Sequence, residues 1–341
     1  MRSILKVRDL RVAYRSRSGG TFHALDGISF NLEPGEILGL LGESGSGKST
    51  LAASLLRLFR KDAVVVSGAV LFEGKDLLQA KPTELQRIRG KRISLIFQEP
   101  SVALHPTMRV GSQVRQVLRA HGVNGRALGE RAREVFETLF TEEADRIARS
   151  YPHELSGGQR QRILIAEAIA CGPSVLVADE PTASLDPTTQ MEILGVFRSL
   201  REKLSLALIF VTHNPALLRA FADRILVLYA GRVVEWGPAT TVLASPKHPY
   251  TRALLESMPP PLEETGDLQR KRLTAIPGDA LPSSLPRQGC PFEPRCPERV
   301  DVCKSREPMF VVLGAGHSVY CFRYESESTE TGRREEHDAA S

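Results

Sequence analysis

The chain has 341 residues, of which 42% are hydrophobic and 25% are charged, and its formal net charge is +5. This composition is typical of an ordinary globular protein and excludes disorder of the whole chain. The longest strongly apolar run, Leu204–Val211, is much shorter than the about 20 residues of a membrane-spanning helix. The charged N-terminus lacks the apolar segment of a signal peptide, so a cytosolic protein is expected. Basic residues are mixed with acidic ones, and no nucleic-acid partner is predicted.

Prolines and cysteines divide the chain into unequal parts. Twelve of the 22 prolines fall between Pro246 and Pro308, and four of the five cysteines lie close to the C-terminus. Residues 1–258 are predicted to form one regular domain, and residues 259–324 a small Pro- and Cys-rich appendage dominated by loops. The polar residues 325–341 have no apolar periodicity and predict a disordered tail.

Strand and helix patterns alternate through the first part. The segments ILKVRDLRVAY and ISFNL are typical of strands joined by the polar turn RSRSGG, and they predict an antiparallel side subdomain. Later strand candidates are EILGLLG, RISLIFQ, SVLVAD, LALIFVTH and RILVLYAG. Predicted helices cover residues 110–119, 131–140, 159–170, 188–203 and 215–221. This order predicts an α/β fold with a mostly parallel sheet covered on both faces.

A glycine-rich loop follows the strand EILGLLG and opens a predicted helix. Its sequence from Gly42 to Ser49, GESGSGKS, fits G-x-x-x-x-G-K-[ST], a phosphate-binding loop. Glycines let backbone N–H groups turn toward a phosphate, Lys48 brings a positive charge to the β- and γ-phosphates, and the Ser49 hydroxyl can bind Mg²⁺. The predicted nucleotide-binding residues are Gly42, Glu43, Ser44, Gly45, Ser46, Gly47, Lys48, Ser49 and Thr50.

Two carboxylates end the apolar strand that begins at Val175. The strand would deliver Asp179 beside the phosphate loop, where it can hold Mg²⁺ directly or through water. Glu180 is then placed to orient or deprotonate an attacking water. A third motif, LSGGQ from Leu155 to Gln159, precedes a helical pattern. Two glycines and a serine at a helix N-terminus can form an anion site, although the motif by itself is more typical of an ordinary helix cap.

The order of these motifs resembles the ATPase subunits of ABC transporters over residues 4–258. The motifs that carry the resemblance are GESGSGKST, Gln98, LSGGQ, VLVADE, SLD and His213. The resemblance implies an ABC-type ATPase fold with a helical signature subdomain, and ATP and Mg²⁺ as ligands. It implies that Tyr14 stacks on adenine, that Gln98 contacts Mg²⁺ and reports to a membrane subunit, and that His213 reaches the γ-phosphate. Glu180, His213 and Gln98 are therefore the expected catalytic residues.

The same resemblance implies contacts between two ATPase domains. Ser156, Gly157, Gly158 and Gln159 would contact ATP bound by a second, facing domain, and Asp186 would lie in the loop joining the two sites. One chain with one phosphate loop and one signature would not build a complete site alone. The family has Asp where this chain has Asn214, and little effect is expected because Asn also caps helices.

Four stretches resemble one branch of the family, the ATPase subunits of oligopeptide, dipeptide and nickel importers. They are FQEPSVALHPTMRVG, YPHELSGGQRQR, KHPYTRALLESMP and GCPFEPRCPERVDVC. The branch implies a peripheral subunit at the cytoplasmic face of the inner membrane that energises peptide import. Its partners would be a second, related ATPase chain, two membrane permease subunits and, indirectly, an extracytoplasmic substrate-binding protein. The alternatives are a nickel or other small-solute importer, a soluble multi-protein enzyme complex and a nucleic-acid-acting ABC protein.

The C-terminal cysteines predict a metal site. Cys290, Cys296, Cys303 and Cys321 lie within 32 residues in a Pro-rich segment, and cytosolic cysteines grouped in this way bind metal more often than they form disulfides. Four thiolates suit a 4Fe–4S cluster, which is the favoured reading, while the spacing lacks the C-x-x-C pairs of common zinc sites. Zinc and unligated thiols remain alternatives. Cys171 is expected to be a small buried apolar residue.

Overall fold

The structure, a computed structural model, describes residues 3–15, 20–97, 100–258, 275–278, 288–314 and 316–325. Apart from Glu325, the predicted tail lies outside these residues, as does Gln98. The described strands are β1 (Leu5–Arg15), β2 (Thr21–Leu32), β3 (Ile37–Leu41), β4 (Ala63–Phe72), β5 (Lys75–Asp76), β6 (Ile93–Ile96), β7 (Val175–Asp179), β8 (Ala207–Thr212), β9 (Arg224–Tyr229), β10 (Arg232–Pro238), β11 (Phe310–Gly314) and β12 (His317–Tyr320).

Along the chain, most of the α-helices that the structure describes lie between strands of the core sheet. They are α1 (Lys48–Ser54), α2 (Pro82–Ile88), α3 (Pro100–Ala103), α4 (Val110–Ala120), α5 (Gly125–Phe140), α6 (Ala144–Arg149), α7 (Gly157–Ile169), α8 (Pro187–Leu204), α9 (Pro215–Arg219), α10 (Ala239–Ala244) and α11 (Pro249–Glu256). Helices α4, α5, α6 and α7 pack on one another and form a helical subdomain.

The larger sheet has the strand order β11-β12-β10-β9-β3-β8-β7-β6. Its strands from β9 to β6 are parallel, whereas β10, β12 and β11 pair antiparallel at the other edge. The smaller sheet, β2-β1-β4-β5, is antiparallel. The α/β fold with a parallel core and an antiparallel side subdomain is confirmed.

The central strand β3 shows why these sequences become buried strands. Ile37 and Leu41 pack into the apolar cluster formed with the helical subdomain, whereas Leu38 and Leu40 pack into the cluster under the antiparallel sheet. Side chains of a strand alternate between its faces, so a strand covered on both sides needs a continuous apolar run. The strand ends, fully buried, at Leu41, immediately before the first residue of the phosphate loop, and it fixes where that loop begins.

The C-terminal appendage extends the core sheet. Strands β11 and β12 form a hairpin, and β12 pairs with β10 through Glu235 opposite Val319 and Trp236 opposite Ser318. At this junction Nε2 of His317 lies 2.7 Å from Oε1 of Glu235, and both side chains are buried. The proline content predicted loops here, but Val311 and Val319 supply buried apolar positions that make a hairpin stable against the sheet.

Glu167 on α7 gives a pH-dependent prediction. It lines a groove together with Leu58 and Phe97, and burial raises the pKa of its carboxyl from 4.5 to about 7. Between these two values the folded chain binds more protons than the unfolded chain, so stability falls as pH rises through this window and is level above it. Glu167→Gln should therefore raise the free energy of unfolding by about 3 kcal/mol at pH 8 and leave it nearly unchanged near pH 4.5.

Urea unfolding of the full chain at the two pH values measures this difference. The matched control is Glu202→Gln. Because Glu202 is exposed on α8, this substitution should have the same effect on the free energy of unfolding at both pH values. A gain of the same size at both pH values would contradict the assignment of the raised pKa to Glu167.

Candidate functional site

The phosphate loop is built on two glycines that no other residue can replace. Gly42 has φ +158°, and a Cβ there would lie 2.4 Å from the carbonyl oxygen of Leu228. Gly47 has φ +107°, and a Cβ there would lie 2.6 Å from the carbonyl oxygen of Ala24. The loop therefore packs directly on neighbouring backbone. Its path is set by β3 on one side and by α1 on the other.

Lys48 supplies a buried cation at the centre of the loop. Its Nζ donates hydrogen bonds to the carbonyl oxygens of Gly42, at 2.8 Å, and Glu43, at 2.9 Å. Burial lowers the pKa of Lys48, and the nearby carboxylates of Glu180, Asp179 and Glu43 oppose that shift. The loop thus folds around a positive charge whose present partners are carbonyl oxygens that an anionic phosphate can replace.

Asp179 ends β7 beside Ser49 of the loop. Its Oδ1 is buried and accepts no hydrogen bond from any residue that the structure describes. Burial raises the pKa of Asp179, a hydrogen bond from Ser49 lowers it, and the charge of Glu180 raises it again. A buried carboxylate oxygen without a donor, next to a serine hydroxyl, has the donor chemistry of a Mg²⁺ site, and these residues fit that ion.

Glu180 and His213 lie at the mouth of the loop. Oε2 of Glu180 is 3.2 Å from Nδ1 of His213, and its Oε1 is 3.9 Å from Nζ of Lys48. Glu180 has φ +48°, a conformation rare for a residue with a side chain, and its backbone N–H donates to the carbonyl of Val211 on β8. A strained residue held between a lysine and a histidine is typical of a catalytic position. Asn214 accepts a hydrogen bond from the N–H of Ala216 and caps α9 as expected.

Most of the phosphate loop, together with Glu180 and His213, lines one cavity of about 990 Å³, whereas Gly42 and Asp179 are not among its lining residues. Among its lining residues are Phe22, Lys48, Ser49, Glu180 and His213. The appendage and the end of α11 also line it, through Leu254, Ser257, Met258, Ala275, Ile276, Gly278 and Arg295. The volume suits a ligand of nucleotide size. No pattern in the sequence predicted this contribution from the C-terminal region.

Tyr14 is not among the residues that line this cavity. Its ring lies 5.6 Å from the guanidinium carbon of Arg60. The aromatic residue at the cavity is Phe22, which pairs with Tyr14 across the antiparallel strands. The signal that could have found Phe22 is its place opposite Tyr14, because cross-strand neighbours lie close together.

The LSGGQ signature lies away from this cavity. Ser156 caps α7: its Oγ accepts a hydrogen bond from the N–H of Gln159, and its own N–H donates to Oε1 of Gln159. The cap presents Ser156, Gly158 and Gln159 to a separate opening of about 710 Å³. Within the described residues, the single chain therefore does not bring its signature to its own phosphate loop.

Asp186 also caps a helix. Its carboxylate accepts hydrogen bonds from the N–H of Thr189, at 3.0 Å, and from the hydroxyl of the same residue, at 2.6 Å. These bonds lower the pKa of Asp186 and keep its charge at the start of α8. Its predicted place between two ATPase domains stays a prediction, as do the roles of Gln98.

The four C-terminal cysteines line one small cavity and are free thiols. Burial, followed by the neighbouring thiols, raises the pKa of Cys290 to about 12 and those of Cys296 and Cys321 to about 11. The cavity measures about 20 Å³, the room for about one water molecule. In the part of the chain described here, no group of three or more His, Cys, Asp or Glu residues is arranged to hold a metal ion. The donor type fits an iron–sulfur cluster, but this arrangement does not support one.

Comparison with known proteins shows the family to which the chain belongs. A family model described as ABC transporter matches residues 25–183, and one described as Oligopeptide/dipeptide transporter, C-terminal region, matches residues 234–303. A probable peptide ABC transporter ATP-binding protein of Sinorhizobium fredii is 40% identical over 322 residues, covering 94% of this chain and 95% of the relative. The chain belongs to the ABC-transporter ATPases. The oligopeptide transport ATP-binding protein AppD of Bacillus subtilis is 37% identical over 333 residues, covering 97% of this chain and 99% of the relative.

Solved structures of ABC cassettes agree with the fold. The dimeric structure of MJ0796, described as a bacterial ABC transporter cassette, has a TM-score of 0.61 and 29% identity, covering 69% of this chain and 98% of that one. CbiO1 of Clostridium perfringens, part of an ABC transporter complex, has a TM-score of 0.63 and 28% identity, covering 72% of this chain and 92% of that one. Among the described helices of this ABC ATPase, each is too short or too polar to cross a membrane.

Proposed function

We propose that this chain is the ATP-binding and ATP-hydrolysing subunit of a multi-subunit ABC transporter that imports peptides of the oligopeptide and dipeptide class. The observation that carries the proposal is that one chain combines a phosphate-loop cavity with a C-terminal region that matches the oligopeptide/dipeptide transporter type. The full-length similarity to proteins named for peptide transport supports it.

The site residues receive roles in the hydrolysis of ATP. The carbonyl groups that now accept from Lys48 would yield that cation to the β- and γ-phosphates. Ser49 and Asp179 would hold Mg²⁺, which neutralises phosphate charge when bound. Glu180 would accept a proton from the attacking water, with His213 holding its carboxylate in place from 3.2 Å. The cavity residue Phe22 is proposed, beside Tyr14, as an aromatic surface for the adenine.

A second ATPase domain would complete each site. The signature faces an opening of its own rather than the phosphate-loop cavity of the same chain, and a similar cassette has been solved as a dimer. We propose that Ser156, Gly157, Gly158 and Gln159 contact ATP held by the partner, with Asp186 between the two sites. The partner is proposed to be a related chain, which would make a heterodimer.

A single substitution tests the signature and the phosphate loop of this composite site separately. Ser156→Arg should abolish hydrolysis at the site that holds the partner's phosphate loop, because a long cation would replace the small capping hydroxyl. ATP binding at Lys48 of the same chain should stay within about twofold of the wild type, since the two sites lie in separate cavities.

The measurement is ATP binding and turnover by the assembled pair. Ser205→Arg is the control, because it adds the same charge at an exposed position after α8. Loss of ATP binding at the chain's own phosphate loop in Ser156→Arg would contradict a site shared between two domains.

The transporter would also need membrane subunits. We propose that two permease subunits bind this ATPase at the cytoplasmic face of the inner membrane, and that an extracytoplasmic binding protein delivers the peptide. Purification of the tagged chain from detergent-solubilised membranes, followed by identification of its companions, tests this directly. Companions of a peptide importer are expected; the subunits of a nickel importer or of a soluble enzyme complex would replace the peptide assignment.

For the cysteines, a 4Fe–4S cluster stays a proposal supported by donor chemistry alone. Four free thiols line one cavity, and thiolates stabilise such clusters. The cavity of about 20 Å³ would have to widen to admit one. Anaerobic purification with iron and sulfide analysis should find four iron and four sulfide per chain. Stoichiometric zinc, or four titratable thiols without metal, would overturn the proposal.

A further inference from the structure

Arg295 of the C-terminal appendage contacts the phosphate loop directly. Its Nη1 donates to Oε2 of Glu43 at 2.8 Å, and its Nη2 donates to Oε1 of the same carboxylate at 3.1 Å. The guanidinium is almost fully buried, and its Nε donates to the carbonyl of Pro277 at 2.9 Å. This is a two-pronged arginine–carboxylate pair, the ion-pair geometry with the most orientational specificity.

The aromatic residues beneath the pair fix its position. The ring of Tyr229 lies 5.8 Å from the guanidinium carbon of Arg295. Tyr229, Tyr250 and Phe292 pack together, with ring centroids between 4.6 Å and 5.4 Å apart. A flexible arginine side chain held on a packed aromatic cluster has already lost most of its rotational freedom, so it can impose a position on its partner.

Glu43 transmits this constraint to the lysine. Its backbone N–H donates to Oη of Tyr250 at 2.8 Å, so both its side chain and its backbone are held from the C-terminal elements. Its carbonyl oxygen in turn accepts from Nζ of Lys48 at 2.9 Å. A continuous set of contacts therefore runs from Arg295 through Glu43 to the cation of the phosphate loop.

We propose that Arg295 is a positioning residue for the nucleotide site: by clamping Glu43, the C-terminal appendage holds the phosphate loop in its binding conformation. The inference rests on the proposed ATP site. A loop released from the clamp would populate other conformations, and the apparent affinity for ATP would fall in proportion to the binding-competent fraction. Because coupling is reciprocal, bound ATP should also stabilise the appendage.

A double-mutant cycle on the full chain tests the clamp. Calorimetric titration with Mg²⁺-ATP, under conditions where the isolated chain does not turn over, gives the dissociation constant. Arg295→Gln and Glu43→Gln should each weaken binding about tenfold, within the range of measured couplings. The double variant should be no weaker than either single variant by more than about twofold, because the second change removes a contact already lost.

The control is Arg299→Gln. Arg299 lies in the same appendage but is exposed, and its Nε lies 4.0 Å from the carboxylate of Glu293. Its binding of ATP should match that of the wild type. Protection of the appendage from trypsin should rise with ATP in the wild type and in Arg299→Gln, and should not rise in Arg295→Gln.

Two results would overturn the clamp. One is an unchanged affinity in folded Arg295→Gln, and the other is losses that multiply in the double variant. If Arg295→Gln does not fold, Glu43→Gln removes the same pair from the loop side, and an unchanged affinity there has the same meaning. Lys48→Ala distinguishes failure of the nucleotide site from failure of the clamp. Normal ATP binding in Lys48→Ala would contradict the nucleotide site itself. Loss of ATP binding in Lys48→Ala, together with normal ATP binding in Arg295→Gln, would contradict only the clamp.

Discussion

Replacing Lys48 with alanine is expected to weaken ATP binding about a hundredfold and to abolish measurable hydrolysis. The ammonium group is almost fully buried and is held by two loop carbonyls, so the methyl group of alanine leaves no cation for the β- and γ-phosphates. A charged hydrogen bond of this kind contributes about 1.5–3 kcal/mol, and an affinity loss of that order follows.

Titration of the full chain with Mg²⁺-ATP and a phosphate-release assay on the assembled complex measure the two effects. Lys75→Ala is the matched control, because Lys75 is exposed on β5 of the antiparallel sheet. Transport or hydrolysis that survives in Lys48→Ala would defeat the assignment of the phosphate loop.

Replacing Glu180 with glutamine should leave ATP binding near the wild-type value and slow hydrolysis by at least about a hundredfold. The amide keeps the shape of the side chain between Lys48 and His213, but it has lost the basic oxygen that takes a proton from water. Binding without turnover should hold the two ATPase domains together in the ATP-bound state.

Single-turnover hydrolysis and size-exclusion chromatography of the ATPase pair with ATP test both consequences. Glu202→Gln, an exposed change on α8, should dissociate and turn over as the wild type does. A normal rate in Glu180→Gln would move the catalytic role to another residue, with His213 the next candidate.

The sequence predicted the elements whose pattern is local. Apolar runs identified β3, β7, β8 and β9, because strands buried on both faces need continuous apolar sequence. Helix α5 begins at Gly125, several residues before the predicted start, since two of its first five residues are glycines, which weaken a helical pattern. Helix α1 ends at Ser54, although its apolar spacing continued to Phe59.

Elements that depend on tertiary pairing could not be predicted from the sequence. The hairpin of β11 and β12 is stabilised by pairing with β10, which precedes it by more than 70 residues, and its own sequence gave no strand signal that outweighed the surrounding prolines. The same reason explains why β10 itself was not predicted: its burial does not alternate regularly, and its pairing is interrupted between Val233 and Glu235.

The residues of the site also fall into two groups, those predicted by a local sequence pattern and those placed by tertiary packing. The motifs around Lys48, Asp179, Glu180 and His213 could be predicted because each follows a recognisable strand, and parallel strands bring their carboxyl ends to one edge. Arg295 could not be predicted, because it is 252 residues from Glu43 and belongs to a segment without regular pattern. Four cysteines grouped in one short segment predicted a metal site, whereas their placement around a cavity of about 20 Å³ depends on packing.

Peptide uptake by reconstituted transporter tests the central claim most directly. Vesicles would contain the permease subunits and both ATPase chains, with ATP trapped on the ATPase side and the binding protein with a labelled oligopeptide on the other. Labelled peptide should accumulate only when ATP is present, and Glu180→Gln in this chain should stop both accumulation and phosphate release. Accumulation that persists without ATP, or ATP hydrolysis that no peptide stimulates and that moves no peptide, would contradict a peptide importer driven by this subunit.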